Sequence, residues 1–264
     1  MTNFVSLKIK KACQKISKRK KTARNVPVAI KDNMTNSSII IKELKEASNP
    51  AKAKIFQRFF KTGKGEYGEG DIFLGLTSPE IKKITQKYNN LKLIQVEKLL
   101  ASKTHECRVA ALRILAHQFK ESPEKEKIVE FYLKNIKYIN NWDLVDMSAG
   151  KILGEYLLNK NKTIIYDLAK SKDLWKKRIA MVSCFGLIKN NEFKDALKIS
   201  ELLLNDSHDL IHKAVGWMLR EIGKRDLKTE EGFLKKHYKK MPRTMLRYAI
   251  EKFPENKRKF YMQK

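Results

Sequence analysis

The sequence repeats a short pattern at an interval of about 35 residues. In each copy a cation precedes two small or apolar residues: Arg108-Val109-Ala110, Arg178-Ile179-Ala180, Lys213-Ala214-Val215 and Arg247-Tyr248-Ala249. The copies are 70, 35 and 34 residues apart, so one is missing near position 143, which holds Asp143. Intervals of about 20–50 residues are typical of solenoids, whose units bury their apolar faces by stacking on their neighbours.

Apolar residues between these cations recur every three or four positions, as on one face of a helix. Examples are Val109, Leu112, Leu115 and Ala116, or Val215, Met218, Leu219 and Ile222. Alternating β-branched runs are nearly missing from the sequence. The pattern predicts an all-α superhelical solenoid of HEAT-like helical repeats. We expect its concave cleft to carry a row of cations, interrupted at one repeat by acid.

The charge balance favours a polyanionic partner. The chain has 57 Lys and Arg against 29 Asp and Glu, a formal net charge of +28, and a pI near 9.9. Such a surface attracts phosphate backbones, and an anionic membrane surface is the alternative. No run approaches the roughly 20 apolar residues that span a bilayer. Cys13, Cys107 and Cys184 are odd in number and far apart, which favours a reducing compartment.

A change in composition divides the chain at about residue 41. Residues 1–41 contain ten Lys or Arg against one Asp, and Pro27 interrupts any long periodicity. We interpret them as a basic, flexible extension, and residues 42–264 as one domain of HEAT-like repeats. The extension lacks the apolar region of a secretory signal. It is either a solvated tail, a DNA-tethering arm or a localisation signal.

The acidic stretch 140–146 is unusual in so basic a chain. Asn140 or Asn141 can cap a helix, and acidic residues in a first turn are common because of the helix dipole. That interpretation fits Asp143. Asp146 lies four residues beyond Trp142, so the two share one side of the helix and form the candidate functional pair.

Three other motifs have simpler interpretations. Residues 63–68 match GxGxxG, but they follow a helical segment instead of a strand, so we predict a loop between helices. His208 and His212 have i,i+4 spacing without a third ligand, so we expect them to open a helix or touch phosphate. Trp175 is expected to pack at a helix start, whereas Trp217 is equally compatible with a core role and with holding a cation. No metal or cofactor site is predicted.

Several ordered motifs resemble the bacterial DNA alkylation repair glycosylases of the AlkD-like family. The resemblance runs from about Ala51 to Lys264 and rests on four segments. They are Phe73-Leu74-Gly75-Leu76-Thr77-Ser78-Pro79-Glu80, Trp142-Asp143-Leu144-Val145-Asp146, Leu174-Trp175-Lys176-Lys177-Arg178 and Lys213-Ala214-Val215-Gly216-Trp217-Met218-Leu219-Arg220-Glu221. It implies a HEAT-like superhelix that cradles duplex DNA and has no base-reading pocket.

The resemblance also implies site residues. Asp146 would be the catalytic carboxylate, Trp142 and Trp217 the aromatic walls beside the sugar, and Arg178 a partner that grips the DNA backbone. Phosphate contacts would come from Lys213, Arg220, Arg243 and Arg247. Phe59 stands where the family can carry a tyrosine and Thr77 where it can carry a glutamine, at positions that probe the duplex opposite the lesion.

The implied activity is that of a monofunctional DNA glycosylase. It would hydrolyse the N-glycosidic bond of cationic N3- or N7-alkylated purines in double-stranded DNA, without cofactor or metal, as a cytoplasmic, nucleoid-associated monomer. Two alternatives stay open. One is a non-catalytic HEAT-like protein that binds DNA or acts as a scaffold, and the other is a solenoid that binds acidic proteins.

Overall fold

The computed structural model describes residues 37–263, whose regular structure is helical apart from an isolated parallel bridge between Ile72 and Thr104. The α-helices of this range are α1 (Ser37–Glu46), α2 (Pro50–Phe59), α3 (Ser78–Thr85), α4 (Leu93–Leu100), α5 (His105–Glu121), α6 (Lys125–Lys134), α7 (Trp142–Ala149), α8 (Thr163–Ala169), α9 (Leu174–Lys189), α10 (Lys194–Leu202), α11 (Asp209–Gly223), α12 (Leu227–His237), α13 (Arg243–Ala249) and α14 (Glu255–Met262). The all-α prediction is confirmed.

The helices form two layers of stacked hairpins. Helices α5, α7, α9, α11 and α13 pack on one another in that order and form what we call the first-helix layer. Helices α6, α8, α10 and α12 form a second layer that packs against the first-helix layer. The helical-repeat architecture inferred from the 35-residue interval is therefore confirmed.

Helix α9 shows why these sequences fold in layers. It packs against α7, α8, α10 and α11, and ten of its sixteen residues are buried. A helix enclosed in this way is apolar around most of its circumference, unlike a surface helix with a single apolar stripe. Arg178 is one of the buried residues, so its charge must be satisfied inside the protein.

Two close approaches fix the spacing within the first-helix layer. The π-helical turn Gly150–Gly154 after α7 meets α9 at Gly186, where an added Cβ would lie 2.5 Å from the carbonyl carbon of Gly154. Helix α11 meets α13 at Gly216, where a Cβ would collide with the carbonyl oxygen of Met245. Glycine at these positions lets the backbones of neighbouring repeats touch.

The helical body begins earlier than the composition suggested. Helix α1 starts at Ser37, and both Ile40 and Leu44 are fully buried in the core. Residues 37–41 of the expected extension therefore belong to α1, and the division of the chain into an extension and a repeat domain stays a prediction. The flexible character expected for the extension concerns residues 1–36, which lie outside the described range.

Candidate active site

Helix α7 begins at the acidic stretch, and Asn141 is its N-cap. Asn141 is fully buried and extended (φ −148°, ψ 155°), and its side-chain oxygen accepts a hydrogen bond of 2.8 Å from the N–H of Trp142. A cap of this kind satisfies one of the free N–H groups at a helix start. The first turn is therefore held firmly, and with it the directions of Trp142 and Asp146.

Asp146 is held by Arg178 in a two-pronged ion pair. The Nε of Arg178 donates to Oδ1 at 3.0 Å, and Nη2 donates to Oδ2 at 2.7 Å. The third nitrogen, Nη1, donates to the carbonyl oxygen of Leu210 at 2.5 Å. Such fork-shaped pairs are strong and fix the carboxylate in orientation. They join α7, α9 and α11 at one point of the first-helix layer.

The ion pair is mostly buried, but the side chain of Asp146 is still partly exposed to solvent. The side chain of Arg178 is 5% exposed and that of Asp146 is 22% exposed. Burial raises the pKa of Asp146 above its usual range, against the opposing effect of Arg178. Arg178 donates to Asp146 and Leu210 and so fixes the orientation of the acid, while its predicted contact with the DNA backbone stays a prediction.

The observed helix starts show that Asp146, and not Asp143, occupies the position at which the later repeats carry a cation. The first helices begin at residues 105, 142, 174, 209 and 243, at intervals of 37, 32, 35 and 34. Arg178, Lys213 and Arg247 are each the fifth residue of their helix, and the fifth residue of α7 is Asp146. The fixed interval had indicated Asp143. Asp146 and Arg178 are thus equivalent positions of adjacent repeats, which explains why they meet.

Trp142 stacks on a compact group of three rings, because Phe60, Phe73 and His105 also contact one another, with 5.1 Å between the centroids of Phe60 and His105. Its indole lies on Phe60 (5.2 Å between centroids, 15° between planes), Phe60 lies on Phe73 (5.0 Å, 18°), and Phe73 lies on the imidazole of His105 (4.5 Å, 21°). Phe59 meets the indole edge-on at 5.9 Å. Offset stacking and edge contacts of this kind are favourable beyond the area they bury. The stack supports one face of Trp142.

A buried charge cluster lies beneath this stack. The Nε2 of His105 lies 2.8 Å from Oδ2 of Asp143, and its Nδ1 lies 3.5 Å from Oδ2 of Asp71, which also pairs with Nη2 of Arg108 at 2.5 Å. Burial lowers the pKa of His105, but the hydrogen bonds and charges of the two carboxylates outweigh it and raise the pKa. Asp143 also caps the N–H of Leu144 at 2.8 Å. Asp143 therefore anchors the helix start.

Trp217 has contacts of its own in the structure. Its half-buried ring packs on Phe185 (5.8 Å, 38°), and its side chain is hydrogen-bonded to Glu221. Within residues 37–263, no ring contact, hydrogen bond or ion pair joins Trp217 to Trp142 or Asp146. The two tryptophans do not contact each other, and their expected role as walls on either side of the sugar stays a prediction.

Tyr67 lies at the site although the sequence analysis did not single it out. Its ring lies edge-on to that of Trp175, with 5.7 Å between the ring centroids. Its hydroxyl forms a hydrogen-bonding contact with Trp142, and, against the larger effect of burial, the charge of Lys213 lowers its pKa. The glycine-rich segment 63–68 that carries it is a loop, as predicted. No sequence signal links Tyr67 to residues so distant along the chain.

The predicted phosphate-binding cations differ in how free they are. Lys213 pairs with Asp209 at 2.8 Å, and its side chain is 38% exposed. Arg220 is mostly buried and pairs with Glu251. Lys213 is therefore the more available of the two for a ligand.

Arg243 and Arg247 are exposed at the last repeat, on α13. They line an open, polar cavity of about 640 Å³, together with Asp209, Lys213, Thr244, Tyr248, Ile250, Glu251, Arg258 and Met262. This cavity concentrates guanidinium and ammonium groups on the side of α13 that meets α11.

Phe59 and Thr77 face an apolar cavity beside Trp142. Phe59 is 61% exposed. Thr77 caps α3, and both its N–H (2.6 Å) and its hydroxyl (2.7 Å) donate to Oε2 of Glu80, so its predicted DNA contact competes with a structural role. The cavity measures about 340 Å³ and is lined by Phe56, Phe59, Phe60, Phe73, Leu76, Thr77, Ser78, Ile81, His105, Glu106, Val109, Arg113, Trp142, Asp143 and Met147.

The remaining polar motifs have structural roles. His208 is the N-cap of α11, and its Nδ1 accepts from the N–H of Leu210 at 3.1 Å, as expected for a residue that opens a helix. Within residues 37–263, no three His, Cys, Asp or Glu side chains are grouped as metal ligands. Cys107 and Cys184 are buried free thiols. None of the helices in this range is both long and apolar enough to cross a membrane.

The fold and the site define a class: an all-helical repeat protein that holds a buried acid–arginine pair beside a supported tryptophan. The sequence places it more exactly. Residues 40–253 match the family described as DNA alkylation repair enzyme, and the chain belongs to that family.

The comparison with one solved structure agrees on the fold. A protein described as a predicted DNA alkylation repair enzyme from Enterococcus faecalis is 19% identical and superposes with a TM-score of 0.66, covering 79% of this chain and 97% of that one. The Streptococcus mutans UA159 protein smu.31 is 20% identical, with a TM-score of 0.49 and coverage of 83% and 99%. No curated protein matches the chain.

Proposed function

We propose that this protein is a monofunctional DNA glycosylase, which hydrolyses the N-glycosidic bond of cationic N3- or N7-alkylated purines in duplex DNA. The observation that carries the proposal is the Asp146–Arg178 pair, a carboxylate fixed in direction and still 22% exposed, one helical turn from Trp142. Membership of a DNA alkylation repair family supports a repair reaction on DNA.

The chemistry suits a single fixed acid. Alkylation at N3 or N7 makes the purine a cation, so the base leaves as a neutral group and needs little protonation. When the C1′–N bond breaks, its electron pair goes to the base and positive charge develops on the sugar. Asp146 stabilises that charge and orients a water molecule toward C1′. The water oxygen forms the new bond and its proton passes to the carboxylate, leaving an abasic site.

Trp142 assists the same step. One face of its indole is supported by Phe60, and the ring system carries negative potential over its faces. A developing cation on the sugar is therefore favoured next to the indole and the carboxylate together. The rigid stack keeps the ring in place without reorganisation during the reaction.

The substrate would be held mainly through its backbone. The chain has a net charge of +28, and Lys213, Arg243 and Arg247 surround one open cavity near the site. Contacts of this kind give affinity that falls steeply with salt. We further propose that the protein acts as a monomer at the nucleoid in the bacterial cytoplasm, with the first-helix layer as the concave DNA-binding face.

The decisive experiment substitutes the acid. Asp146→Asn keeps the shape but removes the charge, so we expect it to bind methylated duplex DNA and to release no N7-methylguanine. Asp195→Asn is the matched control, because Asp195 accepts from the Tyr166 hydroxyl at 2.6 Å on a different pair of helices. We expect this control to be fully active. Release by Asp146→Asn at the wild-type rate would refute the role of Asp146.

The chemical mechanism has its own test. Hydrolysis by water leaves no covalent intermediate with the protein, so treatment with borohydride during the reaction should trap no protein–DNA adduct. Efficient trapping would show an amine nucleophile and a lyase instead.

One observation favours the second candidate, a non-catalytic DNA-binding or scaffold protein. Both oxygens of Asp146 already accept hydrogen bonds from Arg178, so the pair also has the form of a structural ion pair. That candidate predicts salt-dependent binding to duplex DNA and no base release on any alkylated substrate. A solenoid for acidic proteins would bind its partner even when duplex DNA competes.

A further inference from the structure

The loop of residues 61–71, which we call the Tyr67 loop, has a defined structure of its own. The Oε2 of Glu66 accepts from the N–H of Gly63 at 2.8 Å, and the N–H of Gly68 donates to the carbonyl oxygen of Lys61 at 2.9 Å. These bonds close the loop at its base and across its tip. The position of its one aromatic side chain is therefore set by the backbone.

The loop is fitted to the start of helix α7. At Gly68 an added Cβ would lie 2.6 Å from the carbonyl oxygen of Phe60 and 3.3 Å from Nδ2 of Asn141, the cap of α7. A side chain at this position has no space, so glycine allows the loop to approach the cap closely. Tyr67, the preceding residue, is thereby brought to the turn that carries Trp142.

Tyr67 contacts two helices of the first-helix layer near their starts and lies near a third. Its ring meets Trp175 of α9 edge-on, its hydroxyl contacts Trp142 of α7, and Lys213 of α11 is close enough to affect its ionisation. The same three first turns supply Arg178, Asp146 and the carbonyl oxygen of Leu210. Tyr67 therefore contacts the same helix starts that carry the acid–arginine pair.

We propose that Tyr67 is a substrate-contacting residue that binds the deoxyribose and phosphate of the target nucleotide together with Lys213. The inference rests on the proposed glycosylase function and adds a residue to the same site. The ring offers an apolar surface to the sugar, and the hydroxyl is a donor for a phosphate oxygen beside the Lys213 ammonium.

The protonation state of the phenol agrees with that role. Burial raises the pKa of Tyr67 above its ordinary value, against the opposing contact with Trp142 and the charge of Lys213. The group therefore stays a neutral O–H donor at neutral pH. A phenolate would repel the phosphate that the cation attracts.

The test compares Tyr67→Leu and Tyr67→Phe with wild type. The probes are two duplexes of identical sequence, one undamaged and one with a central tetrahydrofuran, an abasic-site analogue. Binding is measured by fluorescence anisotropy, and release of N7-methylguanine is measured in single turnover. Tyr156→Phe is the control, because its hydroxyl bonds Glu126 on α6, away from these first turns.

We expect Tyr67→Leu to lose about tenfold or more of the preference for the tetrahydrofuran duplex, since one aromatic–nucleotide contact is lost. Its salt-dependent affinity for undamaged duplex should stay within about twofold, because general backbone binding comes from the cations. Tyr67→Phe should lose about threefold to tenfold of this preference for the tetrahydrofuran duplex, because it lacks only the hydrogen bond of the hydroxyl. The control should match wild type, and a melting curve of each variant checks that it is folded at the assay temperature.

Two results would overturn the inference. One is a Tyr67→Leu variant that prefers the tetrahydrofuran duplex as strongly as wild type. The other is tighter binding by that variant, because it would mean that the ring is a cover that DNA must displace. If wild type released no base while Tyr67→Leu still lost the preference, the proposed reaction would fail and the contact would stand. Base release by wild type together with an unchanged preference in Tyr67→Leu would refute the contact and leave the reaction intact.

Discussion

Replacing Arg178 by methionine should destabilise the fold and should do so in a pH-dependent way. The substitution removes three hydrogen bonds and leaves Asp146 as a mostly buried charge without its cation. Breaking a buried pair in this way costs about 3–5 kcal/mol, and the 22% exposure of Asp146 places the expected loss near the lower limit, about 3 kcal/mol. For a domain of this size that corresponds to a fall in Tm of about 6–12 °C.

The pH dependence follows from the acid. Burial already places the folded-state pKa of Asp146 above its unfolded value, so the folded protein favours the neutral carboxyl. The stability that this preference contributes is lost as the pH rises through the folded-state pKa. Without Arg178 that pKa rises further. The Tm difference between wild type and Arg178→Met should therefore be largest at pH 7.5 and should shrink toward pH 5, where more of the acid is neutral.

The assay is thermal unfolding followed by circular dichroism at both pH values. Arg58→Met is the control, because Arg58 is exposed on α2 and its loss should leave the Tm nearly unchanged. A Tm of Arg178→Met equal to that of wild type would refute the reasoning about the pair. A large but pH-independent fall would show that packing, and not the charge of Asp146, explains the loss.

Other outcomes follow from the same contacts. Arg247→Ala should weaken binding to all duplexes alike and lower the slope of log K against log salt by about one, as measured by anisotropy at several salt concentrations; a selective effect on damaged duplex would contradict this. His105 has a raised pKa, so its contribution to the free energy of unfolding is complete below pH 6.5 and is lost as the pH rises through the folded-state pKa. In urea unfolding at several pH values, His105→Gln should not show this loss of stability. A pH profile of stability equal to that of wild type would disprove the contribution. Gly216→Ala should destabilise the fold by about 1–3 kcal/mol, because its Cβ collides with α13. Gly232→Ala has open space around its Cβ and should stabilise the fold by about 0.5–1 kcal/mol. Equal shifts in Tm for the two variants would contradict the packing argument.

The sequence predicts the architecture well because a helical hairpin needs a nearly constant length. Arg178, Lys213 and Arg247 keep one position in their helices, so their spacing reports the repeat directly. The same interval fails at α7, because the preceding connection is longer and the following one shorter, at 37 and 32 residues between helix starts. Periodicity measures average spacing, whereas the cap residue Asn141 decides where the helix begins.

Individual site residues were predictable only where their partners lie on neighbouring turns. Trp142 and Asp146 are found from i,i+4 spacing within one helix. Tyr67 is 75 and 108 residues from Trp142 and Trp175, and its loop resembles a common phosphate-binding motif instead. Arg178 was singled out by the family resemblance, but its inward direction depends on the burial of α9, which the sequence pattern does not reveal.

The equivalence of Asp146 with the cations of later repeats bears on how such a site can originate. A solenoid whose repeats carry a cation at one position presents like charges side by side, and this arrangement serves to hold phosphate. Inverting the charge in one copy places an acid next to a guanidinium that is already oriented to receive it. A carboxylate held by a buried guanidinium can therefore arise by a change at one repeat, because the neighbouring repeat carries the cation at the equivalent position.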